Sequence, residues 1–327
     1  THDRIGREWR RSMTAQHILL ILNPVSGKMK SRSGLFDILD ELYHLPDGTP
    51  ASDRRVTVCT TLYRGHATEL ASAAVAEGYD RVLCCGGDGT LNEVLNGLMH
   101  IPPENRPTLG YIPAGSTNDF AASIGLPSAL RAAARVAGGK ESFPLDIGEF
   151  CPADGGNQRF FSYIASFGAF TETSYATSQT AKNVMGHVAY VLGGIRDVAN
   201  IAPCHLIVEM SDGTRLEGEY VFGAMSNTTS AGGMVKLPPD RVSLTDGELE
   251  VFLIRKPRTP SELNRIIGSL LASNNSDNPM IDFLHAKHAR FTFPEPTVWS
   301  LDGEEAAGGS VVDIYCHPGA VSLIREG

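Results

Sequence analysis

Over its first 130 residues the chain repeats one unit, a strand-sized apolar run followed by a segment of helical period. That repetition restricts the fold more than any other feature. Residues 17–22 are a nearly unbroken apolar run and read as a buried strand. Leu35, Ile38, Leu39 and Leu42 follow at i, i+3, i+4 and i+7, the spacing of one helix face. The next strand is expected over 55–60, and the next helix carries Ala67, Leu70, Ala71, Ala74 and Val75, with Gly78 placed to stop it. A strand over 81–85, a helix carrying Leu91, Val94, Leu95 and Leu98, a strand over 108–112 and a short helix from about Asn118 complete the series. Strand–helix units this short imply a parallel sheet with right-handed crossovers.

After about residue 140 the pattern changes to short alternating runs at 143–150, 160–166, 205–210, 220–225, 249–254, 290–293, 297–301 and 311–315. Turn signals such as Ser211-Asp212-Gly213 and Thr245-Asp246-Gly247 separate them. Helical periods interrupt near 184–199 and 260–273. The expected architecture is an α/β N-terminal domain with a mostly parallel, doubly wound sheet, plus a mostly antiparallel β-rich second domain. The first domain is assigned to 14–140, with 317–327 as a candidate to complete it, and the second to 141–316. Residues 1–13 are read as a flexible N-terminal extension. A length of 327 residues with 42% hydrophobic content supplies two such cores.

Several classes drop out. A net charge of −9 argues against a general nucleic-acid binder. No stretch approaches the roughly 20 apolar residues of a bilayer span, and no signal peptide is visible. The six cysteines contain no C-x-x-C pair, and Cys84 and Cys85 read as core thiols, so a reducing, cytoplasmic compartment fits best. Charge is uneven: Arg4, Arg7, Arg10, Arg11, Lys28, Lys30 and Arg32 face only Asp3 and Glu8 near the N-terminus. That balance suits a solvated tail or attraction to phosphates or a lipid surface.

In an open parallel sheet, ligands bind beyond the carboxyl ends of the strands. The four segments there are Asn23-Pro24-Val25-Ser26-Gly27-Lys28, then Thr61 to Ala67, then Gly86-Gly87-Asp88-Gly89-Thr90 running into Leu91-Asn92-Glu93, then Pro113-Ala114-Gly115-Ser116-Thr117-Asn118-Asp119. All are rich in Gly, Ser, Thr or Asn, and each feeds a helix N-terminus. Singly they read as ordinary turns; as a set they favour a phosphate site. No G-x-x-x-x-G-K-[ST], G-x-G-x-x-G or G-x-S-x-G string occurs at these loops. An aspartate between glycines would repel bare phosphate, but is intelligible if Mg²⁺ lies between them.

These residues resemble the diacylglycerol kinase catalytic family. Gly86-Gly87-Asp88-Gly89-Thr90-Leu91-Asn92-Glu93, with Asn23-Pro24-Val25-Ser26-Gly27 before it and Gly115-Ser116-Thr117-Asn118-Asp119-Phe120 after it, is similar to the soluble bacterial lipid kinases related to sphingosine kinases. The likeness covers essentially residues 14–325. It implies ATP held by Asn23, Pro24, Val25, Ser26 and Gly27, by Thr61, by Gly87, Asp88, Gly89, Thr90, Leu91, Asn92 and Glu93, and by Ser116. It also implies a structural Mg²⁺ held by the Asp246 carboxylate and the carbonyls of Ser243 and Glu248. Glu304 then matches the family's proton acceptor, Asp302 an acid beside the catalytic metal, and Asp119 a residue near the transferring phosphate.

Taken without the family, Asp302-Gly303 reads equally as a tight turn, since Asp-Gly is a hairpin signal in its own right. Two further acids, Glu304 and Glu305, and the neighbouring Trp299 tilt it toward chemistry. Asp212 has no such setting and is left as a turn. His285 and His288 lack a third ligand nearby in sequence and read as structural. Phe160, Phe161, Tyr163, Phe167 and Phe170 read as core before they read as an acyl-chain pocket. Residues 171–180 suit a lid or a plain loop. The expected activity is an ATP-dependent lipid kinase acting most naturally on diacylglycerol, peripheral at the membrane, with lipid as partner and a homodimer as one open state. The alternatives are an NAD-kinase-like phosphotransferase on a soluble substrate and a catalytically silent nucleotide- or lipid-binding module.

Overall fold

The computed structural model of the protein describes residues 16–44, 49–168, 202–228, 230–231, 235–236, 242–272 and 278–325. The expected extension at 1–13, the helical period at 184–199, the stretch 171–180 and Phe170 lie outside them. The chain divides into two compact units, one of residues 1–121, 125–144 and 321–327 and the other of 122–124 and 145–320.

In the first unit, β1 (Gln16–Leu22), β2 (Arg54–Thr60), β3 (Arg81–Gly86) and β4 (Thr108–Pro113) alternate with α1 (Ser26–Ser33), α2 (Leu35–Leu42), α3 (His66–Ala73) and α4 (Asp88–Met99). Two short helices follow, α5 (Asp119–Ser123) and α6 (Leu130–Ala137). The strands lie parallel in the order β2-β1-β3-β4, with Leu20 opposite both Val58 and Leu83, and Leu83 opposite Gly110. One face of the strands, Ile18, Leu20, Leu22, Leu83, Cys85 and Ile112, packs with Ile38 and Leu42 of α2 and the alanines of α6. The alternate residues Leu19, Ile21, Val82 and Cys84 are equally buried. Strands buried on both faces are why 17–22 and 81–85 are continuously apolar rather than alternating. Cys84 and Cys85 are core thiols, and burial pushes Cys85 up to about 12.

The chain leaves β1 for β2 on one side and returns to β3 on the other. The carboxyl ends of β1 and β3 therefore flank the point where the winding direction switches, which is where open α/β sheets bind ligands.

The second unit contains β5 (Ser142–Pro152), β6 (Arg159–Phe161), β7 (Ile164–Gly168), β8 (Cys204–Met210), β9 (Arg215–Ser226), β10 (Ser230–Ala231), β11 (Val235–Lys236) and β12 (Leu249–Arg255). After α7 (Pro260–Ala272) come β13 (Ile281–Ala286), β14 (His288–Thr292), β15 (Val298–Leu301), β16 (Glu304–Ala307) and β17 (Val311–Ile324). Antiparallel pairing runs β16-β15-β7-β9-β8-β14-β17, with β12 and β13 branching from β9, β6 on β5, and β10 paired with β11. Its core centres on Trp299, whose ring lies 4.7 Å from Phe167, 5.3 Å from Phe291 and 5.4 Å from Phe150. Phe161, Tyr163 and Phe167 are buried, as core residues should be, whereas Phe160 is only half-buried, against the His317 ring. The end of β17 lies in the first unit, where Leu323 pairs parallel with Leu109 of β4.

Three expectations need correction. The run 160–166 is two strands, because the amides of Ser162 and Tyr163 turn out of the ladder toward a carboxylate described below. The run 311–315 extends to Ile324: Pro318-Gly319 looks like a turn, but the strand carries through it with Gly319 at φ +55° and its amide held by Asp146. Strand β13 was not anticipated, because Asp282 and His285 interrupt its apolar alternation.

Candidate functional site

The loops at the carboxyl ends of β1, β3 and β4 meet backbone to backbone. Gly27 has φ +54°, and a Cβ there would fall 2.1 Å from the Ala114 carbonyl oxygen. A Cβ on Gly115 would fall 2.6 Å from Cα of Gly87. Side chains cross the same seams. The Asn23 amide donates to Thr90 Oγ1 at 2.9 Å, and its Oδ1 accepts the Val25 amide at 3.2 Å. Asn118 has φ +56° and closes on Gly115 twice, its Oδ1 accepting the Gly115 N–H at 2.8 Å and its Nδ2 donating to the Gly115 carbonyl at 3.0 Å.

The β2 loop is fastened to this cluster by Glu93. Its Oε1 accepts the Gly65 amide at 2.9 Å, its Oε2 accepts the Ala67 amide at 3.2 Å, and Thr68 Oγ1 donates to its carbonyl at 2.9 Å. Glu93 thus satisfies amides at the start of α3, groups a helix leaves without internal partners. Thr61 continues from β2 through a bond of its amide to the Leu22 carbonyl at 2.9 Å. All four segments singled out in the sequence are therefore mutually bonded at one sheet edge.

Within that edge the individual residues differ. Val25 and Ser116 are exposed, Pro24, Ser26, Gly27, Thr61, Gly87, Asp88 and Gly89 are half-buried, and Thr90 is buried. Leu91 lies wholly in the core and Asn92 is 4% exposed, its carbonyl and Oδ1 accepting the Asn96 amide group. Any contact of these two with a ligand would run through the main chain. Asp88 opens α4, and its Oδ2 accepts the amide of Asp119 at 3.0 Å, which sets two carboxylates at the same rim. Asp119 is 6% exposed. A carboxylate oxygen here can ligate Mg²⁺ shared with phosphate oxygens, while the helix-start amides favour the phosphate itself.

The second unit holds the remaining acids. Asp302 and Gly303 form the two-residue loop between β15 and β16, with φ of +50° and +85°, the paired left-handed geometry of a tight hairpin. The Asp302 side chain is not idle there. Its Oδ2 accepts the Ser162 amide at 2.7 Å and the Ser162 hydroxyl at 2.8 Å; its Oδ1 accepts the amides of Tyr163 at 3.0 Å and Ile164 at 3.1 Å. Glu304 is the first residue of β16, opposite Leu301, and half-buried.

The turn at 243–248 also carries its expected residues together. Asp246 Oδ1 accepts the Glu248 amide at 3.1 Å, and Gly247 has φ +79°. Sequence reasoning missed two carboxylates around it. Asp146 accepts the amides of Gly247 at 2.7 Å and Gly319 at 2.6 Å, and burial raises it above the usual aspartate range despite those bonds. Glu250 is fully buried with neither carboxylate oxygen hydrogen-bonded, and burial pushes it up to about 8. The signal for both was a charged residue inside an otherwise apolar strand. An unbonded buried carboxylate beside Asp246 and Asp146 is an environment that suits a cation held by one carboxylate and two carbonyls. Among the described residues, no three His, Cys, Asp or Glu side chains converge as a metal cluster of their own. Asp212 is a turn residue whose carboxylate accepts from Thr214.

Comparison with known proteins decides the family. Residues 17–150 match the diacylglycerol kinase catalytic domain, and residues 165–325 match the YegS C-terminal NAD kinase beta sandwich-like domain. The chain is 33% identical over 302 residues to the diacylglycerol kinase of Bacillus subtilis (strain 168), covering 91% of this chain and 93% of that protein. The chain belongs to the diacylglycerol kinase family. The Staphylococcus aureus (strain bovine RF122 / ET3-1) diacylglycerol kinase is 32% identical over 285 residues, 87% of this chain and 85% of its own. A crystal structure from Bacillus anthracis str. Sterne, 25% identical, superposes with a TM-score of 0.78 over 96% of both chains. The α/β unit with parallel strands and the antiparallel β-rich unit are the architecture of this kinase family. The protein is a lipid kinase, an enzyme that moves a phosphoryl group to an alcohol, and the family implies ATP as donor. No helix among the described residues is long and apolar enough to cross a membrane.

Proposed function

We propose that the kinase phosphorylates the free hydroxyl of diacylglycerol to give phosphatidic acid, acting peripherally at a bilayer surface on the cytoplasmic side. The observation that carries the nucleotide half is the mutual bonding of the four glycine-bearing segments at the β1–β3 switch point. The diacyl acceptor is taken from the names of relatives that share about a third of their residues with this chain.

In this reading the segments 23–27 and 87–92, led by the helix-start residues Gly87 to Gly89, hold the triphosphate together with the hydroxyls of Thr61 and Ser116. Asp88 holds Mg²⁺, and Asp119 lies beside the transferring group. When bound, Mg²⁺ neutralises charge on the phosphate oxygens. The lipid hydroxyl oxygen forms a bond to the γ-phosphorus, the bond from that phosphorus to the β–γ bridging oxygen breaks, and ADP leaves. Glu304 takes the hydroxyl proton. With little covalent chemistry for the protein to perform, holding and charge neutralisation supply most of the rate. The Asp246 carboxylate and the carbonyls of Ser243 and Glu248 would hold a second Mg²⁺, which would stabilise the β-rich unit.

The test uses purified protein, labelled ATP and mixed micelles of diacylglycerol, phosphatidylglycerol, an undecaprenol-like alcohol or a sphingoid base, with soluble NAD in parallel. Label in phosphatidic acid is the expected result. Label in NAD alone would establish the NAD-kinase-like alternative, and ATP binding without turnover on any acceptor would establish the silent module.

A further inference from the structure

We infer that Asp302 is a positioning residue for Glu304, holding it through a carboxylate clamp on residues 162–164, and is not itself a metal ligand or proton acceptor. The inference rests on the lipid-kinase reading for the role of Glu304 and departs from the metal-side role that family resemblance suggests for Asp302.

An ionised carboxylate offers about four lone-pair sites. Those of Asp302 meet four donors at 2.7–3.1 Å, three backbone amides and one hydroxyl, all from residues 162–164. The residue is 4% exposed. A cation approaching this carboxylate would have to displace one of those donors and leave a buried N–H unpaired. The main chain closes the same ring, since the Asp302 amide donates to the Ile164 carbonyl at 2.9 Å.

The clamp also accounts for two irregularities. Strand pairing stops at Phe161 and resumes at Ile164 because the intervening amides serve the carboxylate instead of a ladder. Asp302 holds φ +50°, a conformation that costs a non-glycine residue unless its surroundings fix it. Aspartate tolerates that region and supplies the acceptor that fixes it. Glu304 lies two residues beyond, opposite Leu301 in the same two-residue hairpin. Its backbone position is therefore set by a turn pinned at both main chain and side chain.

The experiment compares wild type, Asp302→Asn, Ser162→Ala and Glu304→Gln by amide hydrogen exchange over residues 162–164 and by kcat as a function of Mg²⁺. Asp302→Asn keeps the size of the side chain but places an N–H donor against backbone donors. Protection at 162–164 should fall by tenfold or more, on the order of one lost hydrogen bond, whereas Glu304→Gln should leave it intact. The same Asp302 variant should lose about 10²-fold in kcat, the scale of a misplaced reacting group, with its Mg²⁺ half-saturation unchanged. Ser162→Ala removes only the hydroxyl bond and should lower kcat several-fold, again without moving the Mg²⁺ dependence.

A rise of about tenfold or more in Mg²⁺ half-saturation for Asp302→Asn, the mark of a lost metal ligand, would overturn the inference. So would unchanged protection at 162–164, or wild-type kcat in Ser162→Ala. If Asp302→Asn does not fold, Ser162→Ala decides by the same two readouts. A wild-type enzyme inactive on every lipid would end the lipid-kinase reading alone, and the exchange data would still judge the clamp.

Discussion

At the rim of the first unit, glycine loops press against one another and Asp88 accepts the amide of Asp119 at the start of a helix. In the turns of the second unit, Asp302 gathers the amides of Ser162, Tyr163 and Ile164, and Asp146 gathers those of Gly247 and Gly319. Both regions join glycine to aspartate, with opposite results. Where helix starts line a sheet edge, the leading amides that no side chain holds, unlike those of Gly65, Ala67 and Asp119, can receive an anion. Where an acid folds back on its own strand amides, those amides are satisfied and the acid becomes architecture. Whether an Asp beside a Gly serves chemistry or structure depends on where the nearby N–H groups find their acceptors.

The sharpest way to break this contrast is to remove the rim acid. Asp88→Ala should lower kcat by about 10³–10⁵, the range for a charge-organising group in phosphoryl transfer, while circular dichroism and melting stay close to wild type. Activity retained within tenfold would remove Asp88 from the metal role and leave the two regions alike.

Glu304→Gln comes next, with kcat lower by roughly 10²–10⁴, the usual worth of a positioned base, and the Kd for ATP unchanged by calorimetry. Glu304 follows the clamped turn but is not itself one of the clamp's donors or acceptors. An unaffected kcat would move the proton acceptor elsewhere and weaken the case that the second unit contributes an acid to the reaction.

How far the sequence anticipated this contrast can be seen residue by residue. The parallel unit was legible because strands buried on both faces are uniformly apolar and glycine marks their loops; the switch point needed the strand order β2-β1-β3-β4, which only the pairing supplies. Asp88 and Glu304 stood out through their neighbours. Glu93 did not reveal its structural task, because the amides it holds, those of Gly65 and Ala67, are distant in sequence. The Asp302 clamp was hidden for the same reason: Ser162 is about 140 residues away in the chain, and only folding joins them. Asp146 and Glu250 gave a faint signal, a charge in an apolar strand, which composition alone cannot turn into a role.

A smaller effect tests the closeness of the rim loops. Gly27→Ala places a Cβ 2.1 Å from a backbone oxygen that cannot swing aside, at a φ of +54°. The loops after β1 and β4 must separate, at a cost of about 1–3 kcal/mol for strain of this kind. The KM for ATP should rise about tenfold with Glu304-dependent chemistry intact, so kcat at saturating ATP should change far less. A variant with wild-type KM would show that this seam does not shape the nucleotide site.

The smallest expected effect concerns acid stability in the second unit. The hydrogen bond from His317 holds Glu149 below its ordinary value of 4.5, outweighing the opposing effect of burial. A carboxylate lowered in the folded state contributes stability that is complete above its unfolded value and is lost as pH falls through the folded one. His317→Ala should therefore melt below wild type at pH 7, and the gap should close as pH drops below about 4.5. Melting curves from pH 7 to pH 3 measure it directly. A gap that stays constant across that range would mean that His317 stabilises the unit through its edge contact with the Phe160 ring at 5.8 Å, and that here packing outranks the hydrogen bond.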